Sequence, residues 1–465
     1  MALNLNQTLS WSKSLAASNP AAAAELAMLN DLQGNILKGH GRPHTSNIFV
    51  SFKANQAAAA IAFIHSVGAD VTTALDQLTS AQVFKATGKG GGEFIAFFLS
   101  ARGYDALGLV QVRPQSAAFV AGMKQRPLAD PAPEGWSLPF RDEIHAMLLI
   151  ADESPAGRDA LQAQYQARIG QTSGAVRVLG IVQGDALINS DKNGIEHFGY
   201  VDGRSQPLTL QEDVDHDARH GGIDQWDPAI HLSQVLVKCP GGLLEVSHGS
   251  FFVFRQLEQN VRGFKETEEK LGVAQGGIGE LAGATVVGRF ENGTPVATAA
   301  ADATVANGVP NNFNFDSDPA GLKCPLAGHI RKTNQRTPAS KSHLMARRGI
   351  PFGARSDGPN DGKTENKPSG GVGLLFMAYQ SSIENQFEVT QRIWANSEFF
   401  PPGPGRVGID PVIGQVPAGN AASPQQFPDV WGVSLGKPTL FSGFVKMLGG
   451  EYFFAPSISF LKGSI

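Results

Sequence analysis

Only two cysteines, Cys239 and Cys324, occur in 465 residues. Two thiols exclude a disulfide framework and a cysteine-built zinc site. They form one buried disulfide or stay free, and a reducing compartment favours the free thiols. An excess of charge of either sign is missing as well. The chain has 38 Lys and Arg against 42 Asp and Glu, a net charge of −4 and a pI near 6.3. That balance excludes a polyanion-binding surface, so nucleic acid is not an expected partner. No run approaches the roughly 18 apolar residues that span a bilayer; the longest, such as 94–99 and 146–151, have strand length. A secretory leader is not evident. No Lys or Arg precedes Lys13, and the apolar stretch 15–29 is broken by Asn19, Pro20 and Glu25. The expected location is cytoplasmic, with a non-Sec export route left open and no membrane partner. Tyr and Trp are scarce, at five each.

What is present is a chain rich enough in apolar residues, 42%, to bury a large core. Its length suggests two or three domains, or one duplicated one. A polar tail leads into an Ala-rich helix by residue 30. A glycine-punctuated segment, DLQGNILKGHGR, covers 31–42. Compact β-type runs follow at 47–53, 93–100, 145–151 and 176–183. Helical periodicity marks 56–79, a short helix is expected over 102–109 and a longer one over 155–169. The resulting β-α-β-β-α-β order is the ferredoxin-like pattern, an antiparallel sheet with helices on one face. A second copy begins near Gly249: a strand at 249–255, a helix at 256–271, a strand at 373–379 and a helix from Ser382 to about Asn396. The predicted architecture is therefore α+β, with two ferredoxin-like halves. A tail and helix occupy 1–30, the first half 31–215 and the second half 216–465. Long Gly-, Asn- and Pro-rich insertions at 273–345 and 354–371 are the kind of loop that carries function.

Two stretches could carry chemistry. Residues 324–353 read CPLAGHIRKTNQRTPASKSHLMARRGIPFG. His329 sits in a turn-like segment followed by Arg331, Lys332 and Arg336, and the stretch closes with Arg347, Arg348 and a Gly-Ile-Pro turn. A neutral imidazole beside cations suits a metal held in an anionic cofactor; the plain alternative is a basic surface loop. Residues 197–207 read HFGYVDGRSQP, in which Gly199 and Gly203 flank Asp202 and let a tight bend aim one carboxylate. The plain alternative is an Asp in a β-turn. His216 and His220 share a helix face among several aspartates, which suggests a divalent metal site or a solvated acidic segment.

GYVDG, CPLAGHIRKTN, MARRGIPFG and GLLFMAYQSSIENQF, in that order, resemble the dye-decolorizing peroxidases, and DLQGNILKGHG resembles the opening segment of that family. The resemblance covers about 31–460. It implies two ferredoxin-like halves and one haem b per chain, held mainly in the second half. His329 would be the proximal iron ligand, Asp202 the distal acid-base residue and Arg347 (rather than Arg348) the distal arginine. Leu374 and Phe376 would line a narrow distal pocket. Arg331, Arg336 and Asn334 are candidates for the haem propionates, and Glu384 or Glu388 for the carboxylate behind the proximal imidazole. Cys324 is a weaker candidate ligand. Tyr379, Trp394 and Tyr452 are candidates for relaying oxidising equivalents to the surface. The implied reaction uses hydrogen peroxide to oxidise phenolic, anthraquinone and azo-dye-like donors in one-electron steps through an oxoferryl porphyrin radical. An aspartate as proton shuttle implies an optimum below about pH 5. Two other readings are a haem-binding or iron-releasing protein without turnover, and a non-haem structural module. No sequence feature sets the oligomeric state, so a homo-oligomer stays open.

Overall fold

The computed structural model describes residues 3–277, 279–303 and 308–463. The first half is built on β1 (His44–Phe52), β2 (Phe94–Leu99), β3 (Ala146–Asp152) and β4 (Val176–Asp185). They pair antiparallel in the order β2-β3-β1-β4. All of β2, and all of β3 except Asp152, is buried. Both faces of these central strands are covered, which is why they read as unbroken apolar runs. Two helices, α1 (Ala57–Gly68) and α2 (Ala74–Thr87), follow β1, and α3 (Pro155–Gly170) joins β3 to β4. The single helix expected over 56–79 is thus two. The Thr73 side chain accepts the Asp76 N–H and starts a fresh helix. At the end of α1, a Cβ on Gly68 would lie 2.8 Å from Leu461. That close approach brings the C-terminal helix Ile458–Gly463 against α1.

The second half repeats the pattern. Its elements are β5 (His248–Gln259), α4 (Val261–Ala274), β6 (Ile350–Phe352), β7 (Gly373–Gln380), α5 (Ile383–Ala395) and β8 (Val445–Ala455). The sheet order β6-β7-β5-β8 is again ferredoxin-like. Residues 256–259, expected to be helical, continue β5, and the helix starts only at Val261. The alternation Arg255, Leu257, Gln259 puts every second side chain on one cavity wall, a requirement of strand geometry that the Gln and Glu residues disguise. α5 is wound in the wide π pattern, and the Asn396 N–H still reaches back to Gln391 O.

The halves join edge to edge. β8 meets β2 through one residue pair, Phe454 with Leu99. Gln33, from the DLQGN segment, closes the seam. Its amide donates to Phe97 O and Pro456 O, both at 2.8 Å, and accepts the Phe97 N–H at 2.9 Å. At the other end the sheet curls back on itself, so that a Cβ on Gly184 of β4 would lie 2.6 Å from Ile350 of β6. Cys239 and Cys324 are both free and buried. Among the described residues no helix is long and apolar enough to cross a membrane.

Candidate active site

A cavity of roughly 530 Å³ opens between the β5–β7 wall and segments of both halves, among them 39–43, 200–206 and 343–351. His329 enters it from the one-turn helix His329–Thr333. The loop before this helix is folded around Asp318, whose carboxylate accepts the N–H groups of Leu322, Lys323 and Cys324. Arg331 completes that loop. It pairs with Asp318 at 3.1 Å and donates to Cys324 O at 2.7 Å, so it builds the loop and does not line the cavity. Cys324 lies outside the cavity too, and burial pushes its thiol up to about 12.

His329 Nδ1 lies 2.9 Å from Asp410 Oδ2. Asp410 has no exposed surface, and its Oδ1 accepts the N–H groups of Val412 and Ile413 at 2.8 and 2.9 Å. Burial opposes a charged ring, but the Asp410 carboxylate outweighs it and raises the imidazole pKa. When the ring is neutral and donates Nδ1–H to Asp410, the Nε2 lone pair is left free, and the ring is 27% exposed towards the cavity. The carboxylate behind the imidazole is therefore Asp410, and neither Glu384 nor Glu388. Glu384 accepts from Ser116 and the Ala118 N–H, whereas Glu388 holds Arg126 and the Tyr452 hydroxyl. Lys332, fully buried within the same one-turn helix, donates to Ser397 O, Phe400 O and Gly408 O at 2.8, 2.6 and 2.6 Å. It thereby ties the proximal helix to the loop that delivers Asp410.

Asp202 and Arg347 face the same cavity. The chain reaches Asp202 through Gly199 at φ +100° and leaves through Gly203 at φ +79°, both in the region that favours glycine. The Asp202 N–H is held by Gly194 O, and its Oδ1 accepts the Gly203 N–H at 2.6 Å. Arg347 comes from the two-residue strand Ala346–Arg347, which pairs with β7. Burial lowers its pKa and the charge of Asp202 partly restores it. Arg348 also borders the cavity, but its guanidinium is bound to the carbonyls of Asn35, Ile36 and Arg347. Leu374 and Phe376 stand two residues apart on β7 and both line the cavity. On the same wall burial raises the Glu196 carboxyl to about 7.

Arg336 borders the cavity with Arg289, which the sequence reading did not single out. Each guanidinium is buried, and among the described residues neither has a carboxylate partner. Both donate to Ser205 Oγ and Asn311 Oδ1, and otherwise only to backbone carbonyls. Burial, with the neighbouring arginines, lowers the Arg289 pKa to about 9 and lowers that of Arg336 as well. Two uncompensated buried cations require an anion beside them. Together with a bare imidazole nitrogen and the apolar Leu374, Phe376, Ile330 and Val412, they fit a flat apolar macrocycle carrying carboxylates and a metal. Asn334 borders the cavity, though its Oδ1 is taken by the Arg336 N–H. His216 and His220 stack at 4.0 Å on the helix Gln211–His220, and among the described residues no group of three or more His, Cys, Asp or Glu could hold a metal ion. Tyr379 and Tyr452 are fully buried. Trp394 packs between His343, on the cavity rim, and Phe400.

Comparison with known proteins agrees with this geometry. The family model "Dyp-type peroxidase, C-terminal" matches residues 231–399. The multifunctional dye peroxidase DyP2 of Amycolatopsis sp. is 42% identical, over 99% of this chain and 100% of its own. Its solved structure superposes with a TM-score of 0.91, covering 99% of this chain and 100% of that one. A DyP-type peroxidase of Anabaena sp. is 36% identical with a TM-score of 0.89, over 100% of this chain and 98% of that one. Peroxidase 2 of Mycetinis scorodonius is 30% identical over 96% of this chain and 89% of its own. The chain belongs to the dye-decolorizing peroxidase family, haem enzymes that use hydrogen peroxide as their oxidant.

Proposed function

We propose that the cavity holds one haem b per chain, that His329 would ligate its iron, and that Asp202 and Arg347 would act on the peroxide in the same cavity. The observation that carries this is the shared cavity: a histidine whose Nδ1 is fixed by Asp410, an aspartate at a glycine-flanked bend and a half-buried arginine all open into it. Arg289 and Arg336 take the propionates. Arg331 has no part in that contact, because its guanidinium is spent on Asp318 and Cys324 O. Bound haem supplies a redox centre that takes two oxidising equivalents from peroxide and returns them to donors one electron at a time.

Asp202 takes a proton from one peroxide oxygen and returns it to the other, so that the second oxygen leaves as water. Arg347 stabilises the negative charge that builds on the leaving oxygen; in a water-poor cavity a fixed cation is worth more there than in solution. Leu374 and Phe376 keep this part of the cavity narrow and apolar, admitting peroxide and excluding aromatic donors. Phenols and anthraquinone- or azo-type dyes are the donor class; the dye-oxidising name of the Amycolatopsis relative supports it. An optimum below about pH 5 belongs to the same reading, since an aspartate does the work a histidine would do near neutrality.

The test is an absorption spectrum of haem-loaded protein before and after one equivalent of peroxide, for wild type and His329→Ala. A Soret band that shifts with peroxide and weakens in the variant supports the assignment. A colourless protein would remove it. A Soret band indifferent to peroxide would leave haem binding without turnover.

A further inference from the structure

Glu196 precedes Asp202 on the wall of the same cavity. Its Oε2 accepts the Phe198 N–H at 2.8 Å and the Gln259 side-chain amide, and its Oε1 accepts the Tyr200 N–H at 3.1 Å. The Glu196 backbone joins in. Its N–H donates to Tyr200 O at 3.1 Å and its carbonyl accepts the Gly199 N–H at 2.9 Å. The N–H groups of residues 198, 199 and 200 thus all end on one residue. Gln259 is the last residue of β5, so the carboxylate also fastens this turn to the sheet. Asp202 follows directly from the turn, past the Gly199 bend.

We propose that Glu196 is a positioning residue for the peroxide step. By gathering the 196–200 turn against β5, its carboxylate sets where Asp202 stands relative to Arg347 and His329. The inference rests on the reading of Asp202 as the proton carrier. The chemistry favours a carboxyl group at this place. Ionised, or protonated as it is below the value of about 7 to which burial raises it, a carboxyl group keeps acceptor lone pairs on both oxygens and can accept from three donors at once, whereas a glutamine amide has one acceptor oxygen and would turn its own N–H groups against at least one of them. Proton transfer demands hydrogen-bond reach, and a small displacement of the carrier costs rate steeply.

The experiment compares haem-loaded wild type, Glu196→Gln, Asp202→Asn and the double variant. Three quantities are read: the stopped-flow rate with peroxide, kcat/KM for a phenolic donor, and the dissociation constant of cyanide, whose acid form must also give up a proton on binding. Glu196→Gln is expected to lower the peroxide rate about a hundredfold and weaken cyanide binding, with donor kcat/KM and haem uptake retained. In the Asp202→Asn background the same change should cost less than about twofold, because the two act through one group. In the haem-free protein, hydrogen exchange of the 198 and 200 amides should accelerate in Glu196→Gln without change elsewhere. Should Glu196→Gln fail to take up haem, Gln259→Met removes only the tether to β5 and should give a smaller loss of the same kind. A wild-type peroxide rate in Glu196→Gln, alongside a large loss in Asp202→Asn, overturns the proposal. So does a full additive loss in the double variant, which would mean general damage. A wild-type rate in Asp202→Asn overturns the Asp202 reading itself, and this inference with it.

Discussion

Replacing Asp410 by Asn removes a negative charge from a side chain with no exposed surface while keeping its size. In the native protein Oδ2 takes the His329 Nδ1–H at 2.9 Å, and Oδ1 takes the N–H groups of Val412 and Ile413. Asparagine has one acceptor oxygen for these three donors. It either keeps the ring and turns its NH₂ on the turn, or keeps the turn and loses the ring. A hydrogen bond to an ionised acceptor contributes about 1.5–3 kcal/mol and one to a neutral acceptor about 1, so the loss at His329 is on the order of 1–2 kcal/mol. That loss falls mainly on the ferric state, which profits most from imidazolate character in its ligand. At about 59 mV per tenfold for one electron, the ferric–ferrous potential of the haem-loaded protein should rise by roughly 40–90 mV. Spectroelectrochemical titration of wild type and Asp410→Asn measures it. Glu388→Gln is the control and should leave the potential in place, because Glu388 serves Arg126 and Tyr452. An unchanged or lower potential in Asp410→Asn, or an equal shift in the control, would refute the assignment.

The adjacent arginines should separate by assay. Arg347→Ala is expected to cost about 10²–10³ in the peroxide rate. Arg348→Ala should keep that rate and lower the melting temperature, since its bonds run to Asn35 O and Ile36 O; equal losses of rate would contradict this. Lys332→Met strands three carbonyls, one buried and two half-buried, and should cost roughly 2 kcal/mol or more in urea unfolding of the haem-free protein. His197 gives a pH dependence. Its Nε2–H donates to Phe352 O at 2.8 Å, its Nδ1 is buried without a partner, and burial lowers its pKa to about 4. The unfolded chain gains a proton near pH 6.5 that the folded one refuses until about pH 4. Stability is therefore present above 6.5 and lost as pH falls through 4, by at most roughly 3 kcal/mol at about 1.4 kcal/mol per pH unit. The melting temperature of His197→Gln should fall less steeply than wild type over that window; parallel curves would exclude His197 as the cause.

The first half of the fold was open to reading because its central strands β2 and β3 are buried almost throughout and so read as unbroken apolar runs. The second half was not, and the reasons are local. β6 is three residues long, with Pro351 at its centre, which is below any strand signal. The end of β5 is written in Arg, Gln and Glu, because Arg255, Leu257 and Gln259 line the cavity while Gln256 and Glu258 alternate to the other face. The site divides in the same way. His329, Asp202 and Arg347 lie in segments where glycines, prolines and cations cluster, so composition draws the eye to them. Asp410 comes 81 residues after His329, in an irregular loop, and only the fold brings the two together. Arg289 sits just past the end of the helix Gly279–Val287 in a sequence with no motif around it, and its lack of a counter-ion is visible only once its neighbours are in place. Arg331 errs in the opposite sense: two residues from His329, it looks committed to the cofactor, yet Asp318 claims it. Sequence proximity to His329 thus points to the residues that shape the loop. Those that tune the imidazole and balance the anion arrive from distant segments, because a ligand on a one-turn helix has too few neighbours of its own to supply them.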